Sequence, residues 1–285
     1  MKRCKHFLKK IIPLTISLFE KKAGELFAHT EAVLNSKIDS LIKLETKNSI
    51  KLEELIGLQH RMNGHAAEAV WADVYHDTIQ GSEWLKNAGV SPGRWAVGYP
   101  LLYVLYRVLD ELRPKSILEL GLGQSSRMIF QYVRDFTDTE YFVVETDPDW
   151  AKFFLRDKDF SLASHVILMD IVMKQYAEAE NVRCIKDFGQ RFVGKKFELL
   201  LIDAPLGGDM KEYARVDVIE ILPDALAESF VIILDDTNRK GETRTAQEIS
   251  RKLSESGIEF RTGSYAGEKK LTVWCSKNNR FICTL

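Results

Sequence analysis

The chain lacks the features by which several protein classes are recognised. Its four cysteines are scattered over 285 residues without a C-x-x-C pair, which argues against a zinc site or a disulfide framework and indicates a reducing compartment. No apolar run approaches the ~20 residues that span a bilayer. The net charge of −1 gives no field that would attract nucleic acid. We expect a cytoplasmic globular protein that does not bind nucleic acid.

Proline is missing from about Glu20 to Met62, and this stretch predicts a long helix. Within it, residues recur at alternating steps of four and three, the seam spacing of a coiled coil. The seam positions are Leu34, Ile38, Leu41, Glu45, Asn48, Leu52, Leu55, Gln59 and Met62. The pattern predicts a homo-oligomer assembled through this helix. The alternative is a solitary helix that lies along its own domain.

The first 22 residues are strongly basic, with seven lysines and arginines against the single acid Glu20. A frayed tail, a membrane-surface amphipathic segment and a signal peptide are three readings of this composition. We divide the chain into a basic segment (1–22), a helical and coiled-coil segment (23–64) and a catalytic domain (65–285). Peripheral contact with the inner membrane is expected if the basic segment binds lipid.

Strands and helices alternate from residue 116 onward, after an irregular aromatic stretch (63–98) and a helix from about Tyr99 to Leu112. Predicted strands are 116–120, 140–146, 165–170, 197–203, 229–235, 259–264 and 271–276. Predicted helices are 125–136, 148–157, 212–226 and 242–256. The alternation predicts an α/β Rossmann-like fold, a mostly parallel seven-stranded sheet covered on both faces. The last strand should be antiparallel, because the link before it has no room for a helix.

Carboxylates stand where the first five strands end. They are Glu119, Glu145, Asp170, Asp203 and the pair Asp235–Asp236. Each alone could be a helix cap. Since parallel strands end at the same edge of a sheet, we expect these carboxylates to line one ligand site.

A glycine pair follows the first strand in "ELGLGQS", residues 119–125. Gly121 and Gly123 permit a tight turn and a close approach of a ligand to the backbone at a helix start. The third glycine of a dinucleotide fingerprint is replaced by Ser126. A pocket lined by carboxylates suits a cationic ligand and would repel a pyrophosphate, which argues against NAD.

With the acid before these glycines and Glu145 24 positions after Gly121, the sequence from roughly 95 to 278 resembles the class I S-adenosylmethionine-dependent methyltransferases. The resemblance implies that the acid and the small residues of the first motif hold the cofactor, that Glu145 binds its ribose and that Asp170 lies near its adenine. The first-motif residues are Glu119, Gly121, Gly123, Ser125 and Ser126. The aromatic residues Trp95 and Tyr99 precede the first strand closely enough to cover the cofactor.

A narrower resemblance concerns Asp203 with Asp235 and Asp236. Magnesium-dependent O-methyltransferases carry such acids there, and the Asp-Asp form is that of the sugar-modifying branch. The resemblance implies that these three residues bind Mg²⁺, which takes oxygen ligands and can align an acceptor hydroxyl. Alternatively, Asp235 and Asp236 cap the next helix.

The proton acceptor is less defined by the sequence. All six histidines lie at or before His165, and Leu206 stands where the catechol enzymes have a lysine. Candidate catalytic residues are Asp203, Asp236 and His76. The resemblance to the sugar-modifying branch implies an O-methyltransferase that acts on a sugar or surface-glycan precursor. An aminopropyl-transferase-like enzyme and a non-catalytic scaffold with a degenerate methyltransferase domain remain alternatives.

Overall fold

The structure is a computed structural model. It describes residues 2–87, 89–93, 95–156 and 163–285, with side chains from residue 13 onward. The side chains of residues 1–12, which belong to the predicted basic segment, lie outside the described residues. The chain divides into two compact units, Met1–His60 and Arg61–Leu285.

A single helix, α1 (Lys2–Thr78), makes up the first unit and supplies the first element of the second. The predicted irregular stretch at 63–98 is therefore wrong up to Thr78. Gly64 lies inside this helix, where the missing side chain permits a close approach of another segment. A Cβ at Gly64 would lie 3.3 Å from the carbonyl oxygen of Gly267. No helix in the described part of the chain is long and apolar enough to cross a membrane.

Seven strands form one sheet. They are β1 (Ser116–Leu120), β2 (Glu140–Glu145), β3 (Val166–Leu168), β6 (Phe197–Ile202), β7 (Leu226–Leu234), β8 (Phe260–Ala266) and β9 (Lys270–Ser276). Their order is β3-β2-β1-β6-β7-β9-β8. The pairs from β3 to β7 are parallel, and β9 runs antiparallel to both β7 and β8. The predicted Rossmann-like fold, a mostly parallel seven-stranded sheet with an antiparallel last strand, is confirmed.

The sheet is buried on both faces, as its continuous apolar strands predict. Neighbouring residues such as Leu199 and Leu200 belong to different core clusters because strand side chains alternate between faces. One cluster contains side chains of α2 (Tyr99–Arg107), α3 (Gln124–Asp135) and α4 (Pro148–Leu155). The other contains side chains of α5 (Phe188–Arg191), α6 (Val218–Ile221) and α7 (Lys240–Glu255).

Three elements differ from the sequence prediction. A hairpin of β4 (Ile171–Tyr176) and β5 (Ala179–Ile185) follows β3 as a separate two-stranded sheet. Of the helix predicted at 212–226, only α6 (Val218–Ile221) is present. Arg215 has a left-handed backbone with φ 61°, which a right-handed helix cannot contain, so the helix begins after it. A 3₁₀ helix, Lys277–Cys283, follows the last strand.

Candidate active site: a cofactor groove and an acidic cluster

The loop after β1 contains two glycines in different conformations. Gly121 has φ +104°, donates its N–H to the Val144 carbonyl oxygen at 2.8 Å, and would place a Cβ 3.1 Å from that of Ala204. Gly123 has an extended backbone, and its N–H donates to Ser126 Oγ at 2.9 Å. A Cβ at Gly123 would meet nothing within 4 Å. The fold thus requires glycine at 121, whereas at 123 glycine leaves space open beside the start of α3.

Glu119 lies beneath this loop and is fully buried. Its two carboxylate oxygens accept hydrogen bonds from Ser125 Oγ, at 2.5 Å, and from the hydroxyl of Tyr141. Burial raises the pKa of Glu119 to about 7, although the bonds from these two hydroxyls lower it in part. In this position Glu119 fixes the glycine loop from below, and Ser125 and Ser126 are buried with it.

Glu145 ends β2 beside the same loop. Its Oε2 accepts the N–H of Leu122 at 3.0 Å, and its Oε1 accepts the N–H groups of Thr146 at 2.6 Å and Asp147 at 2.9 Å. These bonds aim the carboxylate and connect the glycine loop to the start of α4. A carboxylate offers about four lone-pair sites, so it can still accept a hydroxyl of a ligand.

A groove of about 500 Å³ continues from this point past the ends of β2 and β3. The side chains of Pro148, Ile167 and Met169 line one part of it, and the charged residues Asp170, Lys186, Asp187 and Arg191 line the rest. Asp170 is exposed, and its carbonyl oxygen accepts the Lys186 N–H at 2.8 Å. Open space at Gly123, a carboxylate at Glu145 and apolar side chains in the groove suit the ribose and adenine of a nucleoside, so these residues fit S-adenosylmethionine.

Trp95 and Tyr99 were predicted to cover the cofactor, and His76 was a candidate catalytic residue. Trp95 is 84% exposed and lines the cleft at the acidic cluster described below. Tyr99 donates its backbone N–H to Glu68 Oε1 at 2.6 Å. His76 is exposed on α1, with its ring centroid 5.5 Å from that of Tyr99. Trp95 therefore belongs to the acidic cleft in this structure, whereas the sequence suggested a cover for the cofactor.

The acidic cluster consists of Asp203, Asp235 and Asp236. One oxygen from each lies within 4.8 Å of the others. The sheet ladder sets their register, since the Asp203 N–H donates to the Leu120 carbonyl oxygen at 2.9 Å and the Asp235 N–H donates to that of Ile202 at 3.1 Å. Asp203 is 19% exposed, and Asp235 and Asp236 are almost fully buried. Asp203 and Asp236 line a cleft of about 680 Å³.

Three cations lie among these acids, and two of them, Arg215 and Lys269, were not predicted from the sequence. Arg215 is buried, and its Nη2 contacts Asp203 at 3.0 Å and Asp236 at 2.8 Å. Arg239 contacts Asp236 at 2.9 Å. Lys269 Nζ lies 3.7 Å from an oxygen of Asp235 and 3.7 Å from one of Asp236.

The surroundings shift the pKa values of this cluster. Burial, and then the neighbouring carboxylates, raise the pKa of Asp235 to about 7. Burial also raises the pKa of Asp203, against the opposing effect of Arg215. For Arg215, burial acts to lower the pKa, but the surrounding carboxylates outweigh it and raise the pKa. The cluster therefore combines a buried, charged guanidinium with carboxyl groups that hold their protons to a higher pH than exposed ones do.

Three clustered carboxylates have the chemistry of a magnesium site. Each, however, already lies within salt-bridge distance of a cation of the chain. Asp235 Oδ2 and Asp236 Oδ1 are buried and accept no hydrogen bond from the described residues, and both face Lys269. An ion on these oxygens would lie against the Lys269 ammonium. The residues present do not fit Mg²⁺, and the predicted metal site is not supported by this arrangement.

Known proteins resemble the chain only in architecture. No protein-family model and no curated protein matches it. Among solved structures, the O-methyltransferase TomG from Streptomyces achromogenes, in complex with S-adenosylmethionine, has 14% identity and a TM-score of 0.46, over 73% of this chain and 98% of its own. An S-adenosylhomocysteine-bound methyltransferase from Podospora anserina has 15% identity and a TM-score of 0.43, over 80% and 96%. A Bacillus cereus O-methyltransferase in complex with S-adenosylhomocysteine has 15% identity and a TM-score of 0.39, over 74% and 91%. These values are too low to carry an argument about activity, which must come from the residues of the site.

Proposed function

We propose that the protein is an S-adenosylmethionine-dependent O-methyltransferase that acts on a hydroxyl of a sugar or surface-glycan precursor. The observation that carries the proposal is the space at Gly123, which lies beside the aimed carboxylate of Glu145. A Cβ at position 123 would meet nothing within 4 Å, and the extended φ of this residue does not demand glycine. A ligand that approaches the backbone accounts for the choice of residue.

The residues around the groove have separate tasks in binding the cofactor. Glu145 accepts a ribose hydroxyl, the groove past Ile167 takes the adenine, and the loop held by Glu119 contacts the amino-acid end. When bound, S-adenosylmethionine supplies a methyl carbon whose bond to sulfur breaks, with the electron pair going to sulfur, as the acceptor oxygen bonds to that carbon. The chain contributes mainly by positioning the two reactants.

Asp203 is the group we assign to the acceptor's proton. It is the least buried acid of the cluster, and it faces the cleft. Arg215 holds its Oδ1 at 3.0 Å, which leaves Oδ2 as the second acceptor oxygen of the carboxylate. The methyl group would replace the proton on the acceptor oxygen, and that proton would pass to Asp203.

The cleft supports a polyhydroxylated acceptor. The exposed Trp95 offers an aromatic face at its edge, and the acids and cations within it offer acceptors and donors for hydroxyl groups. Arg215, Arg239 and Lys269 argue against a polyamine acceptor, because each adds positive charge beside the acids. An aminopropyl-transferase-like activity is therefore disfavoured.

The helix of the first unit supports a second part of the proposal, namely that copies of the chain associate through it. The six apolar seam residues are 44–68% exposed in the single chain. They are Leu34, Ile38, Leu41, Leu52, Leu55 and Met62. In such an assembly the basic first residues of the copies would lie together. This suits a cytoplasmic enzyme held at the inner membrane, close to the enzymes that assemble glycans there.

The reaction can be tested with S-adenosylmethionine labelled in its methyl group. We expect transfer to nucleotide-activated or lipid-linked sugars, as a methyl ether that survives alkali. Glu145→Gln should lower transfer at limiting cofactor by at least tenfold. Glu140→Gln, the same change at the exposed far end of β2, should not. Alkali-labile label would indicate methyl esters instead, and no transfer to any sugar fraction would contradict the proposed acceptor.

A further inference from the structure

Lys269 occupies an unusual position for a lysine in a surface turn. It lies between β8 and β9, yet its side chain is only 14% exposed. Its Nζ donates to the Ala96 carbonyl oxygen at 2.8 Å and lies 3.7 Å from each of two buried carboxylates. The ammonium group is therefore turned into the acidic cleft.

The fold holds this turn from several sides. Because β9 is antiparallel to β7, with Leu234 opposite Thr272, the residues that precede β9 reach the carboxyl end of β7. The Glu268 N–H donates to Glu68 Oε2 at 3.1 Å. The Lys270 N–H donates to Asn238 Oδ1 at 3.2 Å. A lysine fixed by its backbone on both sides can serve as a preorganised charge.

The oxygens that Lys269 faces are the ones left without partners. Asp235 Oδ2 and Asp236 Oδ1 are buried and accept no hydrogen bond within the described chain. Two other oxygens of the cluster, Asp203 Oδ1 and Asp236 Oδ2, lie against guanidinium groups instead: Asp203 Oδ1 contacts Arg215, and Asp236 Oδ2 contacts both Arg215 and Arg239. Lys269 is thus the cation at the position where a metal would bind these two acids.

We infer that Lys269 takes the place of a divalent cation in this site, so that its ammonium, and no metal, holds the acceptor oxygen in the cleft. The inference rests on the proposed methyltransferase function and specifies the chemistry of its acceptor side. A point charge with three donors can hold one hydroxyl while it remains close to both acids. The protein should then bind neither Mg²⁺ nor Mn²⁺ at this cluster.

Manganese binding, measured by electron paramagnetic resonance, tests the inference without an acceptor. The wild-type protein should bind no Mn²⁺ at the cluster. Lys269→Ala should bind it at least tenfold more tightly, and Asp235→Asn in that background should remove the gain. Lys269→Arg keeps the charge and should show no gain, and Lys270→Ala is the matched control in the same turn. Circular dichroism establishes that each variant is folded.

Two results would overturn the inference. One is wild-type Mn²⁺ binding that Asp235→Asn abolishes, and the other is a folded Lys269→Ala protein without any gain in Mn²⁺ affinity. Titration of S-adenosylhomocysteine into the same EDTA-treated samples keeps the two claims apart. If the wild type does not bind it, the proposed function fails whatever the manganese result.

Discussion

Gly121 and Gly123 lie two positions apart in one loop, and they are glycines for different physical reasons. The first has φ +104° and packs against Ala204, so the folded chain itself demands it. The second has an extended backbone and open space, so the described part of the fold does not demand it, and in the proposed function a bound ligand accounts for it. The sequence shows both as one motif, and the structure separates the two roles.

Substituting each glycine by alanine should separate stability from binding. Gly121→Ala should lower the free energy of unfolding by about 1–3 kcal/mol, the usual cost of a strained backbone position. Gly123→Ala should leave it unchanged or slightly higher, yet weaken S-adenosylhomocysteine binding at least tenfold because the methyl group fills the open space. Urea unfolding and calorimetric titration measure the two effects. Equal binding by Gly123→Ala and the wild type would mean that no ligand uses this space.

Glu119 connects three elements of the fold: it lies on β1 and accepts hydrogen bonds from Ser125 of α3 and from Tyr141 of β2. Its pKa is raised by burial from 4.5 to about 7. A carboxyl group with a raised pKa holds its proton longer in the folded state than in the unfolded one. Its contribution to stability is therefore complete below about pH 4.5 and is lost as the pH rises towards 7.

Replacing Glu119 by glutamine should remove this pH dependence. A pKa rise of this size corresponds to about 3 kcal/mol, so the fall in unfolding free energy between pH 4.5 and 7.5 should be smaller by that amount in Glu119→Gln. Asp235, whose pKa burial also raises to about 7, keeps its own share of the slope in both proteins. Urea unfolding at several pH values measures the difference, with Glu140→Gln as the exposed control. Parallel pH profiles for Glu119→Gln and the wild type would contradict the assignment.

The sheet was predictable from the sequence, whereas several other elements were not. Runs such as Phe197–Ile202 are apolar throughout, which indicates a strand buried on both faces, and the structure confirms it. The β4–β5 hairpin was missed because its burial does not follow the alternation of a half-buried strand: Ile171, Val172 and Met173 are consecutive and all exposed. The helix predicted at 212–226 was wrong because the segment around Arg215 is shaped by its contacts with distant acids. Local sequence does not contain those contacts.

The same limit applies to the candidate site. The row of carboxylates was predictable, because parallel strands end at one edge and the sequence shows an acid at each end. The cations Arg215 and Lys269 were not assigned, since they approach the acids only through tertiary structure. The position of Lys269 had one available signal: an antiparallel β9 beside β7 must start near the acids that follow β7.

At the scale of the whole molecule, the exposed seam of α1 predicts self-association. Light scattering after size exclusion should show an oligomer for the wild type. Leu41→Glu combined with Leu55→Glu should yield a monomer, because charges at seam positions oppose burial. Thr46→Glu, off the seam, should leave the oligomer intact. A wild type that is monomeric at tens of micromolar would contradict the seam and favour a solitary helix.

In the proposed function, the glycine loop and Glu145 form the binding site of S-adenosylmethionine. Calorimetric titration of S-adenosylhomocysteine into the EDTA-treated wild type, Glu145→Gln and Glu140→Gln is the most direct test of this site. We expect one site per chain, an affinity at least tenfold weaker in Glu145→Gln, and no change in Glu140→Gln. No binding by the folded wild type, or equal binding by the wild type and Glu145→Gln, would contradict it.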